Sequence, residues 1–230
     1  MDSEQPQIPI TQPRLFLTEG TSTGIAELFP SIWSAAEDLC SSTIILRRQA
    51  LDNLEHTNAA RISPLLVYLL ATRLCDSDLE IRSRVIKLLG FVLAPDSNGN
   101  LASGTVLNHL SYYLCDMRMR QIYAIVQALA YYSDLTVPIV RIFSICPFAS
   151  NHLVELASSR KASLDIRRQA IWLIGEVGFL DAIPALERLQ IRMESRLNGQ
   201  QAMPFAPPVG IDDSELLPDI KTTLVLLHSP

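Results

Sequence analysis

One phrase recurs along this chain, and it sets the architecture. Residues 165–178 read D-I-R-R-Q-A-I-W-L-I-G-E-V-G, and residues 80–90 read E-I-R-S-R-V-I-K-L-L-G. Weaker copies begin at Leu46 (L-R-R-Q-A-L-D-N-L) and at Met119 (M-R-Q-I-Y-A-I-V-Q-A-L). Self-similarity at intervals of a few tens of residues marks stacked supersecondary units rather than one closed core. At about 100° per residue, Ile166, Ala170, Leu173, Ile174 and Val177 share one stripe, as do Ile81, Val85, Leu88, Leu89 and Val92. One helix cannot bury such a stripe alone, so neighbours must close over it.

The rest of the chain reads the same way. Leu, Ile and Ala dominate a 48% apolar composition with only 7% aromatics, which suits helix-on-helix packing. No segment alternates with the period of a strand. Helical pattern is expected in pairs: 31–40 with 43–56, 60–75 with 78–93, 106–115 with 117–132, 151–159 with 163–178, and a last one from 181 to 197. The short connections make paired helices antiparallel. Ser31, Asp78, Ser163 and Asp181 are the expected N-caps. Residues 134–149 are ambiguous, because Pro138 and Pro147 punctuate them.

The expected division is therefore an extended tail over 1–24, a helical repeat domain over 25–197, a Gly/Pro-rich loop over 198–213 and a capping helix over 214–230, with Pro218 in its first turn. The fold class is all-α, a superhelix or solenoid of about four to five antiparallel helix pairs.

Residues 164–186 resemble a HEAT repeat, most closely the short subtype named after phycobilisome lyases. The resemblance rests on Ile166-Arg167, Ala170, Ile174-Gly175, Gly178 and the run Ala182-Ile183-Pro184-Ala185-Leu186. Residues 76–90 are a second copy, with Asp76, Ile81-Arg82 and Leu89-Gly90, and with Val85 where the family has Ala. The resemblance implies a ladder between units, built from a turn Asp and an Arg six residues on. Asp76 and Arg82 have that spacing, but Ser41, Asp116 and Lys161 replace or shift the acid elsewhere. It also implies a chromophore-lyase subunit or chaperone as one functional alternative.

Charge is uneven. The net is −5, yet residues 40–168 carry more basic than acidic side chains, between two acidic ends. The basic residues are almost all Arg, which suits fixed, bidentate pairing. The longest apolar run, Leu65–Ala71, is too short to span a bilayer. The start lacks the apolar stretch of a signal peptide. Cys40, Cys75, Cys115 and Cys146 are isolated, and the first three close similar phrases, so they read as small buried residues of a reduced, cytoplasmic protein.

Catalysis needs titratable groups converging on a pocket. His56, His109, His152 and His228 are scattered; His152 and Glu155 alone have a metal-site spacing, and they read as a solvated face. Neither a phosphate-binding glycine loop nor a nucleophile elbow occurs. The chain is expected to be non-enzymatic, without cofactor or metal.

The useful residues are then those the second helix of each pair turns away from its stripe. Arg48 and Asp52, Ser83, Lys87 and Phe91, Arg120, Ala124 and Tyr131, and Arg168, Trp172 and Glu176 form that row. Exposed Trp, Tyr and Arg most often anchor partners. The leading expectation is a scaffold or adaptor that binds another protein on a concave face through Arg48, Asp52, Lys87, Phe91, Arg120, Tyr131, Arg168, Trp172 and Glu176. Whether Trp172 stands free or packs under the 198–213 loop stays open. The alternative is a nucleic-acid reader using Arg48, Arg84, Lys87, Arg120 and Arg168 on phosphates, though Asp52 and Glu176 interrupt that row.

Overall fold

The computed structural model describes residues 29–201 and 211–229. The expected tail over 1–24 and the middle of the expected loop, 202–210, lie outside them. Every regular element among the described residues is helical. In chain order these are α1 (Pro30–Leu39), α2 (Ile44–Thr57), α3 (Pro64–Thr72), α4 (Leu79–Val92), α5 (Gly104–Cys115), α6 (Met119–Tyr131), α7 (Thr136–Ser144), α8 (Ala149–Ser158), α9 (Leu164–Val177), α10 (Ile183–Gln201) and α11 (Ile211–His228).

Local chemistry sets most of the boundaries. The Asp78 carboxylate accepts from the Ile81 N–H at 2.9 Å and starts α4. Ser63 does the same for α3 through the Leu66 N–H, with Pro64 next, where a missing N–H costs nothing. Asn58 and Gly178, both left-handed, end α2 and α9.

Several starts differ from expectation. Pro30 opens α1, so Ser31 lies inside it and caps nothing. Ser163 holds the N-cap place of α9 but makes no side-chain cap bond. Asp181 sits in a short 3-10 turn before α10, where its carboxylate accepts from Ser150 Oγ. The expected helix over 60–75 is divided, because the Ser63–Pro64 start separates a 3-10 turn (Ala59–Arg61) from α3.

The expected loop is also shorter. Helix α10 runs on through Gln201, and α11 begins at Ile211. Pro218 is consequently inside α11 rather than in its first turn. Pro218 lacks the N–H that would bond one turn back, and its carbonyl accepts from Thr222 Oγ1.

The apolar stripes face inward as the periodicity requires. Ile81, Val85, Leu89 and Val92 of α4, and Ala170, Leu173 and Ile174 of α9, are wholly buried. Burying one such Leu or Ile is worth about 1.5–3 kcal/mol. Helices α2, α4, α6, α9 and α11 contact one another in sequence. Behind them α1 packs on α2, α8 on α9 and α10 on α11, while α5 leans on α3.

Helix α7 departs from this order. It packs on α4 and also on α9, so it reaches across α6 to both sides. Gly90 permits this: a Cβ there would lie 2.5 Å from Pro138 Cβ. At the matching place in α9, Gly175 is approached by Thr223 and Leu226 of α11.

The burial pattern also resets the third copy. In α6, Ile122, Ile125, Val126, Ala128 and Leu129 are buried. These match Arg82, Val85, Ile86, Leu88 and Leu89 of α4. The register therefore begins two residues later than the M-R string suggests. The position filled by buried Arg47, Arg82 and Arg167 in the other copies is Ile122 here.

All four cysteines are free thiols. Cys146 is buried and Cys75 and Cys115 are half-buried, but Cys40 is exposed at the end of α1, contrary to expectation. Burial raises the pKa of Cys146 and, against the pull of Arg120 and Arg82, that of Cys75. Since the thiolate is the reactive form, iodoacetamide is expected to label Cys40 first and Cys146 last in the native protein. Peptide mass mapping along a labelling time course checks the order.

Candidate docking face

The row of outward side chains divides into an ionic lattice, an aromatic series and one residue that belongs elsewhere. Arg48 of α2 reaches Asp78 Oδ2 at 2.8 Å and Glu80 Oε2 at 2.9 Å, at the start of α4. Arg84 of α4 reaches back to α2, donating to Asp52 Oδ1 at 2.6 Å and to both oxygens of Glu55. Lys87 pairs with Asp134, just past α6, at 2.6 Å. Arg168 of α9 donates through Nε to Asp219 Oδ2 of α11 at 2.8 Å and lies 3.9 Å from Glu215. Each cation thus stitches one helix to a neighbour.

The titration behaviour follows these contacts. Glu55 first, and Asp52 with it, raise the Arg84 guanidinium above its ordinary value against the opposing effect of burial. Burial pushes the Asp78 carboxyl up, but the Ile81 N–H and Arg48 together outweigh it and hold the group below its usual range. Exposed pairs of this kind add little stability, about 0–1 kcal/mol each. Their effect is to fix side-chain positions.

Aromatic side chains stand on the same helices, Phe91 beside Arg84 and Lys87 and Trp172 beside Arg168. Phe91 of α4 is 40% exposed, Tyr131 of α6 69% and Trp172 of α9 38%. The Arg61 guanidinium sits 5.0 Å from the Phe91 ring centroid and donates to the Phe91 carbonyl at 2.9 Å, which fixes the ring's surroundings. Trp172 lines an open groove of about 640 Å³ between α6, α9 and α11. Arg168, Asp165, Ser133, Asp219 and Thr222 are among its other walls. That volume lies in the range of ligand pockets.

Two expected members of the row are not on it. Ser83 and Ala124 are buried, because α4 and α6 lie against each other at that edge. Arg120 is exposed but stands in the first turn of α6, beside α8 and the turn before α9, apart from Trp172. Glu176 is exposed on the last turn of α9. The sequence reading missed Glu55, Asp134, Glu215 and Asp219. The partner of Arg168 lies 51 residues away, a separation that carries no local signal. The pairs of Arg48 with Asp78 and of Arg84 with Asp52 are 30 and 32 residues apart, so repeat arithmetic could have found them.

His152 Nδ1 and Glu155 Oε2 are 3.9 Å apart on the surface of α8. Among the described residues no three or more His, Cys, Asp or Glu side chains gather as a metal ion would require. No helix among them is long and apolar enough to cross a membrane. Compared with protein-family models, curated proteins and solved structures, the chain gives no match.

Proposed function

We propose that this chain is a HEAT-like α-solenoid that acts as a non-enzymatic adaptor, binding another protein through the face formed by α4, α6 and α9. The observation that carries the reading is the placement of Phe91, Tyr131 and Trp172, large aromatic side chains left accessible on successive helices of one row. Rigid aromatics are the usual anchors of an interface. The ion pairs around them hold their surroundings in place before a partner arrives, which reduces the ordering cost of binding.

The phosphate-reading alternative has less support. Arg48, Arg84, Lys87 and Arg168 are all engaged by carboxylates, and each would have to exchange one acid for another. The isolated, unpaired cysteines suit a cytoplasmic setting.

The test is recovery of partners from a native-host lysate by the wild-type chain and by the double variant Trp172→Ala, Arg168→Glu, read by mass spectrometry. Truncating an anchoring Trp is expected to weaken binding by at least about 30-fold. Equal recovery by a folded double variant would remove this face from consideration.

A further inference from the structure

A second groove, of about 610 Å³, lies between the first turn of α6, the end of α8 and the turn leading into α9. It shares no residue with the groove beside Trp172. Its apolar walls are Met119, Tyr123, Leu156 and Ala162, and its charged walls include Arg120 and Lys161.

The charges here differ from those at the junction of α2 with α4. Between α2 and α4 the incoming turn supplies acids: Asp76 takes Arg47, and Asp78 takes Arg48. Between α6 and α9 the incoming turn supplies Lys161, and α6 presents Arg120 to the same groove. Both side chains are exposed, and neither has an ion pair or hydrogen bond to a described residue. The groove's acid, Glu155, is 3.9 Å from His152 instead. Two cations and the exposed Glu155 thus border an oily floor, with neither cation bonded to that acid.

We propose that the α6–α8 groove docks an acidic segment of a partner protein, with carboxylates meeting Arg120 and Lys161 and an aliphatic or aromatic side chain seated between Tyr123 and Leu156. Charge complementarity names the acids, and the apolar floor names the side chain between them. A nucleic acid is the poorer occupant. It requires a longer run of free cations than this groove offers, and Arg48, Arg84, Lys87 and Arg168 on the other face are engaged.

The experiment uses the full chain and a fluorescein-labelled peptide in which one Leu is flanked on both sides by short runs of Asp and Glu. Fluorescence anisotropy is followed for the wild type, for Arg120→Glu, Lys161→Glu, for the milder Arg120→Ala, Lys161→Ala, and for Trp172→Ala, with circular dichroism confirming the fold of each. The wild type is expected to bind saturably. The charge-reversed variant should lose at least about tenfold, the alanine variant a smaller amount in the same direction, and Trp172→Ala nothing. Replacing the peptide's acids by Asn and Gln should cost as much as charge reversal. The proposal is overturned if the wild type does not bind the acidic peptide, if the neutral peptide binds equally, if charge reversal changes nothing, or if an oligo-dT strand displaces the peptide at comparable concentration. The peptide assay reads only this groove and the lysate recovery of Trp172→Ala, Arg168→Glu reads only the α4–α6–α9 face, so the two can fail independently.

Discussion

Replacing Asp76 by Ala is expected to lower the unfolding free energy by about 3–5 kcal/mol, the usual cost of breaking a buried ion pair from one side. The Asp76 side chain is 2% exposed and that of Arg47 7%. Arg47 Nη2 donates to Asp76 Oδ1 at 3.0 Å, and Nε lies 2.9 Å from Oδ2, a charge contact out of line for a hydrogen bond. The same Oδ1 accepts from the Asp78 N–H at 3.0 Å, just where α4 begins. Alanine therefore removes the counter-charge of a buried guanidinium and an acceptor at a helix start in one step. Arg47 keeps the Ser41 and Ser42 carbonyls, at 2.9 and 3.0 Å, which holds the loss toward the lower end of the range. Urea titration of the two proteins measures it as a shift in midpoint at constant slope. The double replacement Arg47→Met, Asp76→Leu should recover most of the loss, because the pair has to offset its own desolvation. A loss below about 1 kcal/mol for Asp76→Ala would mean that water reaches the pair.

The second large effect is expected from a single methyl group. Gly90→Ala places a Cβ 2.5 Å from Pro138 Cβ and 2.6 Å from Pro138 Cα. Neither atom is at the end of a flexible side chain, so α7 or α4 must move as a body. Overpacking of this kind costs about 1–3 kcal/mol, or more where backbone meets backbone. The helix preference for Ala over Gly returns only about 1 kcal/mol. At Gly175 the nearest atoms are Leu226 Cδ2 at 3.1 Å and Thr223 Cγ2 at 3.3 Å, both on side chains. Gly175→Ala is accordingly expected to stay within about 1 kcal/mol of the wild type. Thermal melts of the two variants side by side check the contrast. Equal stability of both would remove α7 from its place against α4.

How much of this was legible follows from what each element depends on. The stripes of α4 and α9 were legible because burial repeats with the helix period. Phe91, Tyr131 and Trp172 followed from the same arithmetic applied to the opposite side. Helix α7 was obscured because Pro138 and Pro147 resemble breakers, although Pro138 sits in the first turn and Pro147 past the last. The third copy was misplaced by two residues because letters were matched where burial decides. Arg120 looked like the recurring Arg of the phrase and is an exposed residue of another groove. On the proposed docking face, the partner of Arg168 was hidden because it comes from another helix, 51 residues away.

The double engagement of α7 bears on how such a chain can change length. Copies of a simple stack can be gained or lost one at a time, since each leans only on the next. Here the stretch from α4 to α9 is tied by a brace that belongs to neither side. On the proposed solenoid reading, inserting or excising a copy within that stretch strands the brace against the wrong partner, so the chain should tolerate such changes better outside it.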